Sequence, residues 1–177
     1  MRIEISGENT RVEFSIKNFW GLQTVKGNFS RLSGYCNFDP ANPEKCSVLA
    51  VIEANSLQTG NQRRDNHLRT ADFFEVTTYP TITYRSIRAE QAAEGKLCVY
   101  GELTIRDVTR PVTLMVTLSQ GLLTGPATCY AETELARRDF GLNFSKAPIS
   151  PVAQVSFAMR VSGNQFENRP VQVVTQA

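Results

Sequence analysis

Apolar and polar residues alternate along most of the chain. Val12, Phe14 and Ile16 are apolar, and the residues between them are polar. A period of two residues is typical of a strand that buries one face. Strand-like patterns return in seven further segments, at residues 25–39, 48–52, 80–85, 97–105, 112–118, 129–135 and 155–161. In the segment 48–52, Leu49 and Val51 make the second face apolar too. The pattern therefore predicts eight strands.

The longest segment, residues 25–39, changes register between Phe29 and Leu32. A slip of one position moves every later side chain to the opposite face, which indicates a bulge near residues 30–31. Gly27 and Gly34 also lie inside this segment, and interior glycines mark places where a sheet bends strongly. The segment therefore favours a curled sheet over a flat one.

Residues 61–74 interrupt the alternation. Residues 61–69 are too polar for a half-buried strand, and they predict one or two helical turns. Leu68, Phe73 and Phe74 are the large apolar residues of this insertion. We expect these three side chains to be buried against the sheet.

The order of the elements predicts an antiparallel architecture. Eight sequential strands with short connections and no alternation of strands with helices are typical of a sandwich or an up-and-down barrel. The interior glycines favour the barrel. An eight-stranded barrel either fills its interior with side chains or holds one small ligand.

Charge and residue counts argue against several functions. The 177 residues include 19 Lys and Arg and 17 Asp and Glu, and a net charge of +2 is too weak to indicate nucleic-acid binding. No apolar run is long enough for a transmembrane helix. The single histidine, His67, excludes a metal site with several His ligands, and no two cysteines have C-x-x-C spacing. The composition therefore favours a protein without catalytic residues or a metal.

Cys36 and Cys46 flank a turn, and alternation places both on the inward face of adjacent strands. They either form a disulfide in an oxidising compartment or remain reduced thiols. Cys98 points outward and Cys129 inward, so these two are not expected to pair. The N-terminus lacks an apolar signal region, which predicts a cytoplasmic protein, or a periplasmic one if the chain is a mature form.

Several ordered motifs resemble the YceI-like family of lipocalin-shaped bacterial proteins. The most distinctive is RDNHLRTADFFEV at residues 64–76. The other matching segments are residues 12–17, 24–29, 38–40, 55–61, 79–84, 101–112 and 138–142. The resemblance extends over about residues 10–162.

The resemblance implies an all-β fold, an eight-stranded antiparallel lipocalin-like barrel with one short helical insertion at about residues 61–74. We expect this barrel to span residues 1–163 and a C-terminal tail to span residues 164–177. Members of the family bind polyisoprenoid chains in a long apolar tunnel. The expected function is a non-enzymatic binding or carrier protein for an isoprenoid lipid, either a polyprenyl lipid or an isoprenoid quinone. No other cofactor is expected, and a homodimer is favoured.

Two other functions stay open. One is an enzyme or enzyme accessory that acts on such a lipid, with His67 and Asp65 as its polar groups. The other is a stress-response module whose barrel is filled by side chains.

The expected tunnel walls are the inward residues of the strands, together with apolar residues of the connections. They are Phe14, Ile16, Phe29, Phe38, Val48, Ile52, Leu68, Phe73, Ile82, Tyr84, Leu97, Val99, Leu103, Leu114, Val116, Phe140, Leu142, Phe157 and Met159.

Arg64 and His67 are the candidates for contact with a ligand head group at the mouth. Each also has a structural interpretation, in which Arg64 and Asp65 tie the insertion to the rim and Asp65 fixes the tautomer of His67. The remaining arginines at strand ends form either a cationic rim for a polyprenyl phosphate or a solvated rim. These are Arg106, Arg110, Arg137 and Arg138.

Overall fold

A computed structural model describes residues 2–18, 22–39, 42–119, 127–144 and 149–161, and of residues 18, 43, 127 and 149–161 it describes the backbone alone. The predicted C-terminal tail, residues 164–177, lies outside the described residues. The strands are β1 (Arg2–Ser6), β2 (Thr10–Asn18), β3 (Gln23–Phe29), β4 (Leu32–Asn37), β5 (Ser47–Glu53), β6 (Leu57–Gln58), β7 (Thr81–Ala93), β8 (Lys96–Ile105), β9 (Val108–Leu118), β10 (Ala127–Ala136) and β11 (Ile149–Val161). One helix, α1, spans Gln62–Leu68.

All strand pairs are antiparallel, and they form one curled sheet. The prediction of an all-β, lipocalin-like antiparallel fold with a helical insertion is therefore confirmed. The described part of the chain contains 11 strands instead of eight. The difference arises because β1 and β6 are short and because the segment at residues 25–39 is divided into β3 and β4.

The strand order explains why the sheet curls. It runs β1-β4-β5-β7-β8-β9-β10-β11-β2-β3-β6. β1, β4 and β5 therefore lie at one edge, while β2, β3 and β6 lie at the other. The chain passes directly from the first edge to the second between β1 and β2 and between β5 and β6, and it returns between β3 and β4. Three short links can join the two edges only if the sheet bends round until those edges approach each other.

A buried serine holds two of these links together. Ser56, in the short turn between β5 and β6, is 4% exposed. Its hydroxyl donates to the Glu53 carbonyl at 2.7 Å and accepts from the Arg31 amide at 3.1 Å. The Ser56 carbonyl accepts from the Ser30 amide at 3.3 Å. The register slip seen in the sequence at residues 30–31 is thus a break between two strands, and side-chain bonding to Ser56 stabilises it.

The insertion lies between β6 and β7. Asn61 caps α1, because its side-chain oxygen accepts from the Arg64 amide at 3.0 Å. Phe73 is buried, and Leu68 and Phe74 are half-buried against the core. The prediction that these residues are buried against the sheet is confirmed for Phe73, while Leu68 and Phe74 pack against the core but stay partly exposed. Within the described residues, no helix has the length and apolar character needed to cross a bilayer.

Candidate functional site

The concave face of the sheet encloses an apolar cavity of about 320 Å³, the outer chamber. Its walls come from strands β2, β3, β5, β7, β8 and β10, from the insertion and from the segment that follows β10. The wall residues are Val12, Phe14, Ile16, Val25, Phe29, Ile52, Arg64, His67, Leu68, Phe73, Phe74, Ile82, Leu103, Ile105, Leu135, Arg137, Phe140, Leu142 and Phe144. A space of this size and composition suits a flexible hydrocarbon chain.

A second cavity, the inner chamber of about 120 Å³, lies next to the first. It is lined by Ile5, Val12, Cys36, Phe38, Cys46, Val48, Ala50, Ile52, Tyr84, Leu97, Val99, Leu103, Val112, Leu114, Val116, Leu118, Cys129, Ala131, Thr133 and Leu135. Val12, Ile52, Leu103 and Leu135 belong to both walls. The two chambers therefore adjoin across these four side chains.

The structure brings the residues expected in the tunnel wall onto these two chambers. The outer chamber contains Phe14, Ile16, Phe29, Ile52, Leu68, Phe73, Ile82, Leu103, Phe140 and Leu142. The inner chamber contains Phe38, Val48, Tyr84, Leu97, Val99, Leu114 and Val116, and it shares Ile52 and Leu103. The side chains of Phe157 and Met159 lie outside the described residues. That any of these residues contacts a ligand stays a prediction.

The insertion forms one wall of the outer chamber, and a buried carboxylate fastens it. Asp65 of α1 is 8% exposed, and it accepts from the Thr59 amide at 3.0 Å and from the Thr59 hydroxyl. Arg64 donates to the Thr59 hydroxyl at 2.7 Å and to the Thr59 carbonyl at 3.0 Å. Both residues thus tie α1 to the end of β6, and Arg64 also lines the outer chamber.

Arg106 binds the C-terminal end of the insertion. It lies in the tight turn between β8 and β9, with a left-handed φ of 57°. Its guanidinium donates to the Phe73 carbonyl at 3.3 Å and to the Glu75 carboxylate at 3.0 Å. The ion pair with Glu75 is mostly removed from solvent. Arg106, considered in the sequence as part of a cationic rim, therefore holds the insertion in the structure.

His67 lies on the wall of the outer chamber, where two aromatic rings surround it. The Phe73 and Phe144 ring centroids are 5.2 Å and 4.9 Å from the imidazole, both edge-on. Nε2 of His67 bonds to the Asp72 carboxylate at 2.7 Å. The expectation that Asp65 fixes the tautomer is wrong, because the Asp65 carboxylate is occupied by Thr59 and Asp72 is the acidic partner of the ring.

Arg137 is the third basic residue of the outer chamber. It follows β10 in a short 3-10 turn, and its guanidinium donates to the Leu142 carbonyl at 2.9 Å. Burial, together with the charge of Arg138, lowers the pKa of Arg137. Arg138 is exposed, and Arg110 donates to the Asp139 carbonyl at 3.1 Å. Of the four rim arginines, Arg137 alone is part of the chamber wall.

Three thiols face the inner chamber, those of Cys36, Cys46 and Cys129. None of the four cysteines is in a disulfide, and the cross-strand neighbour of Cys36 is Val48 instead of Cys46. Burial raises the pKa of Cys36 to about 12 and that of Cys129 to about 12. These thiols stay protonated at neutral pH, so they are poor nucleophiles and poor metal ligands. Among the described residues, no group of three or more His, Cys, Asp or Glu side chains is placed to hold a metal ion.

Sequence reasoning missed several wall residues, most of which carry a readable signal. Val12 and Ile105 have the same parity as predicted wall residues on their own strands, whereas Leu135 belongs to β10, on which no wall residue was predicted. Ile5 belongs to β1, where apolar residues alternate over only five positions. Phe144 lies after β10 in a segment without regular structure, and no periodicity marks it.

Known proteins resemble this chain in sequence and in fold. The profile of the YceI-like domain matches residues 4–162. A UPF0312 protein of Vibrio cholerae is 29% identical over 167 residues, which cover 92% of this chain and 86% of that protein.

Two solved structures share the fold. The crystal structure of BcnA from Burkholderia cenocepacia has a TM-score of 0.80 and 24% identity, with 86% of this chain and 96% of that chain covered. A polyisoprenoid binding domain from Saccharophagus degradans, implicated in plant cell wall breakdown, has a TM-score of 0.69 and 18% identity, with coverages of 91% and 97%.

Proposed function

The chain belongs to the YceI-like domain family, and from this premise we propose that it is a non-enzymatic binding or carrier protein for a long isoprenoid lipid. The observation that carries the proposal is the pair of adjoining apolar chambers inside the curled sheet. The Saccharophagus degradans domain, which has the same fold, is described as a polyisoprenoid binding domain, and this supports the choice of ligand class.

The walls favour a hydrocarbon chain over a polar metabolite. In the inner chamber the polar wall atoms are the thiols, one threonine hydroxyl and the Tyr84 hydroxyl, which already donates to the Val99 carbonyl at 3.0 Å. A polar ligand there would lose its hydrogen bonds to water without replacement. An apolar chain gains about 0.8 kcal/mol for each CH₂ group removed from water. A few isoprene units therefore suffice for firm binding.

A carrier fits the chemistry of the chambers better than an enzyme does. The buried thiols are protonated, and Asp65 is engaged by the Thr59 amide and hydroxyl. The Asp65 carboxylate accepts hydrogen bonds that fix α1, so it is poorly placed to move protons on a ligand.

Native mass spectrometry of the purified protein, followed by extraction and identification of the bound lipid, tests the proposal. We expect an isoprenoid lipid that is released chemically unchanged. Leu103→Arg places a charge where the two chambers meet and is expected to abolish the bound mass. Met115→Arg, at an exposed position on the outside of β9, is the matched control and should retain it. An empty wild-type protein, or a ligand that is converted during incubation, would contradict the proposal.

A further inference from the structure

The polar side chains of the outer chamber all belong to basic residues. Among its described wall residues, Arg64, His67 and Arg137 carry nitrogen groups, and the remaining wall residues are aliphatic or aromatic. No carboxylate belongs to the described wall. The polar side chains that a ligand meets on this described wall are therefore those of basic residues.

Hydrogen bonds and ring contacts fix two of these wall residues, Arg64 and His67. Arg64 donates to the hydroxyl and the carbonyl of Thr59, and the Asp65 carboxylate accepts from the same hydroxyl. Asp72 orients the imidazole of His67 through Nε2, and the Phe73 and Phe144 rings pack against that imidazole. A pre-oriented set of donors binds an anion more tightly than mobile side chains do, because less conformational entropy is lost.

The apolar residues around Arg64 and Arg137 strengthen the electrostatic attraction of these two side chains to an anion. The neighbours of Arg64 and Arg137 in the wall are mainly phenylalanine, leucine, isoleucine and valine. Electrostatic attraction increases where apolar groups replace water. Burial lowers the pKa of Arg137, which indicates that its charge is incompletely solvated. A phosphate or carboxylate beside this guanidinium would favour its charged form.

We propose that the outer chamber selects amphiphiles with an anionic head group, a phosphate or a carboxylate, over neutral alcohols or quinones with the same tail. Arg64 and Arg137 contact the anion, His67 orients it from the side of the Phe73 and Phe144 rings, and the tail continues toward the inner chamber. This inference rests on the proposed function, since it assigns a head group to the same lipid.

Matched pairs of ligands separate the head group from the tail. Isothermal titration calorimetry compares geranylgeranyl phosphate with geranylgeraniol and oleate with oleyl alcohol. We expect at least one anion to bind about tenfold or more tightly than its alcohol, as charge-assisted hydrogen bonds commonly provide. A preference within the first pair alone identifies a phosphate, and a preference within the second pair alone identifies a carboxylate. Equal affinity within both pairs overturns this inference but leaves the proposed function intact, whereas binding of neither isoprenoid overturns the proposed function.

Variants test which residues carry the preference. Arg137→Met and Arg64→Met should each reduce the ratio of anion to alcohol affinity about tenfold, while Arg137→Lys should keep most of it. The alcohol affinity of each variant shows whether the chamber is intact. Arg88→Met removes a positive charge from the outer side of β7, where Arg88 stacks on the Tyr100 ring, and should leave the ratio unchanged. A ratio that stays at the wild-type value in both Arg64 and Arg137 variants contradicts the assignment.

Discussion

Tyr84 lies across Gly101 on the neighbouring strand, so closely that no larger residue fits beneath it. A Cβ atom at Gly101 would stand 2.6 Å from the Tyr84 hydroxyl oxygen and 2.5 Å from the Arg85 carbonyl oxygen. The hydroxyl reaches over this gap and donates to the Val99 carbonyl at 3.0 Å. The missing side chain at Gly101 therefore lets an aromatic ring form part of the inner chamber wall.

Gly101→Ala is expected to destabilise the protein by about 2 kcal/mol or more, because both the tyrosine ring and the backbone of β7 would have to move. Chemical denaturation of the variant measures this loss. Gly60→Ala is the matched control, since an added Cβ there meets no atom within 4 Å and only the φ of 78° opposes it. The control should lose about 1 kcal/mol. Equal losses in the two variants would contradict the proposed clash.

Ser56→Ala is expected to cost about 2 kcal/mol of folding free energy. The substitution removes the acceptor of the Arg31 amide and the donor to the Glu53 carbonyl in the link between β5 and β6. Urea unfolding compares the variant with Ser33→Ala, a change at an exposed position on the nearby strand β4. We expect Ser33→Ala to be within about 0.5 kcal/mol of wild type. A Ser56→Ala variant that is as stable as wild type would show that the link between β5 and β6 does not depend on this hydroxyl.

The buried thiols should make the protein sensitive to alkali. Burial raises the pKa of Cys36 from 9.0 to about 12, and the pKa of Cys129 likewise rises from 9.0 to about 12. Between these values the unfolded chain releases protons that the folded chain retains, so the free energy of unfolding decreases as pH rises. Below pH 9 the full contribution is present. The expected slope is about 1.4 kcal/mol per pH unit for each thiol.

Unfolding measured at successive pH values from 9 upward checks this dependence. The double variant Cys36→Ala/Cys129→Ala should show a flatter decrease than wild type, although it is less stable at neutral pH because cavities replace the sulfur atoms. Cys98→Ala, on the outer face of β8 beside Met115, is the control that keeps the wild-type slope. Identical slopes in all three proteins would contradict the thiol assignment.

The periodicity of the strands was enough to predict most of the fold and most of the chamber wall residues. Side chains that alternate along an antiparallel strand have only two faces to occupy, so a run such as Leu97, Val99 and Leu103 identifies the inner face directly. Strand β1 was not predicted, because Ile3 and Ile5 are only two alternating apolar positions. Two positions are too few to distinguish a strand from a chance pattern. β6 has only two residues, and it is a strand because it pairs with the end of β3, where Phe29 lies opposite Leu57.

The polar contacts of the site could not be read from the sequence. Asp65 and Asp72 both lie near His67 in the chain, and local spacing favours neither. The choice follows from tertiary structure. Thr59, the residue after β6, donates its amide to Asp65, and the turn after α1 brings Asp72 to the ring. Phe144 reaches the chamber through an irregular segment, where no period constrains the direction of a side chain.

The inner chamber should determine how long a tail the protein accepts. Val99 belongs to the wall of the inner chamber alone, so Val99→Trp fills that chamber and leaves the outer one open. Geranylgeraniol would then lose burial of its distal end, and exclusion of two methylene-sized groups already costs about 1.6 kcal/mol, more than tenfold in affinity. Farnesol, with a shorter tail, should bind as in wild type.

Calorimetry with both alcohols measures this change, and the farnesol affinity also shows that the Val99→Trp variant is folded. Met115→Trp adds the same ring to the exposed outer face of β9 and should alter neither affinity. If the tail ends in the outer chamber instead, Val99→Trp will leave both alcohols unaffected. A parallel loss of both alcohols, in a variant whose circular dichroism spectrum matches wild type, would mean that the tail enters from the inner end. That result reverses the orientation proposed for the lipid and moves its head group away from Arg64 and Arg137.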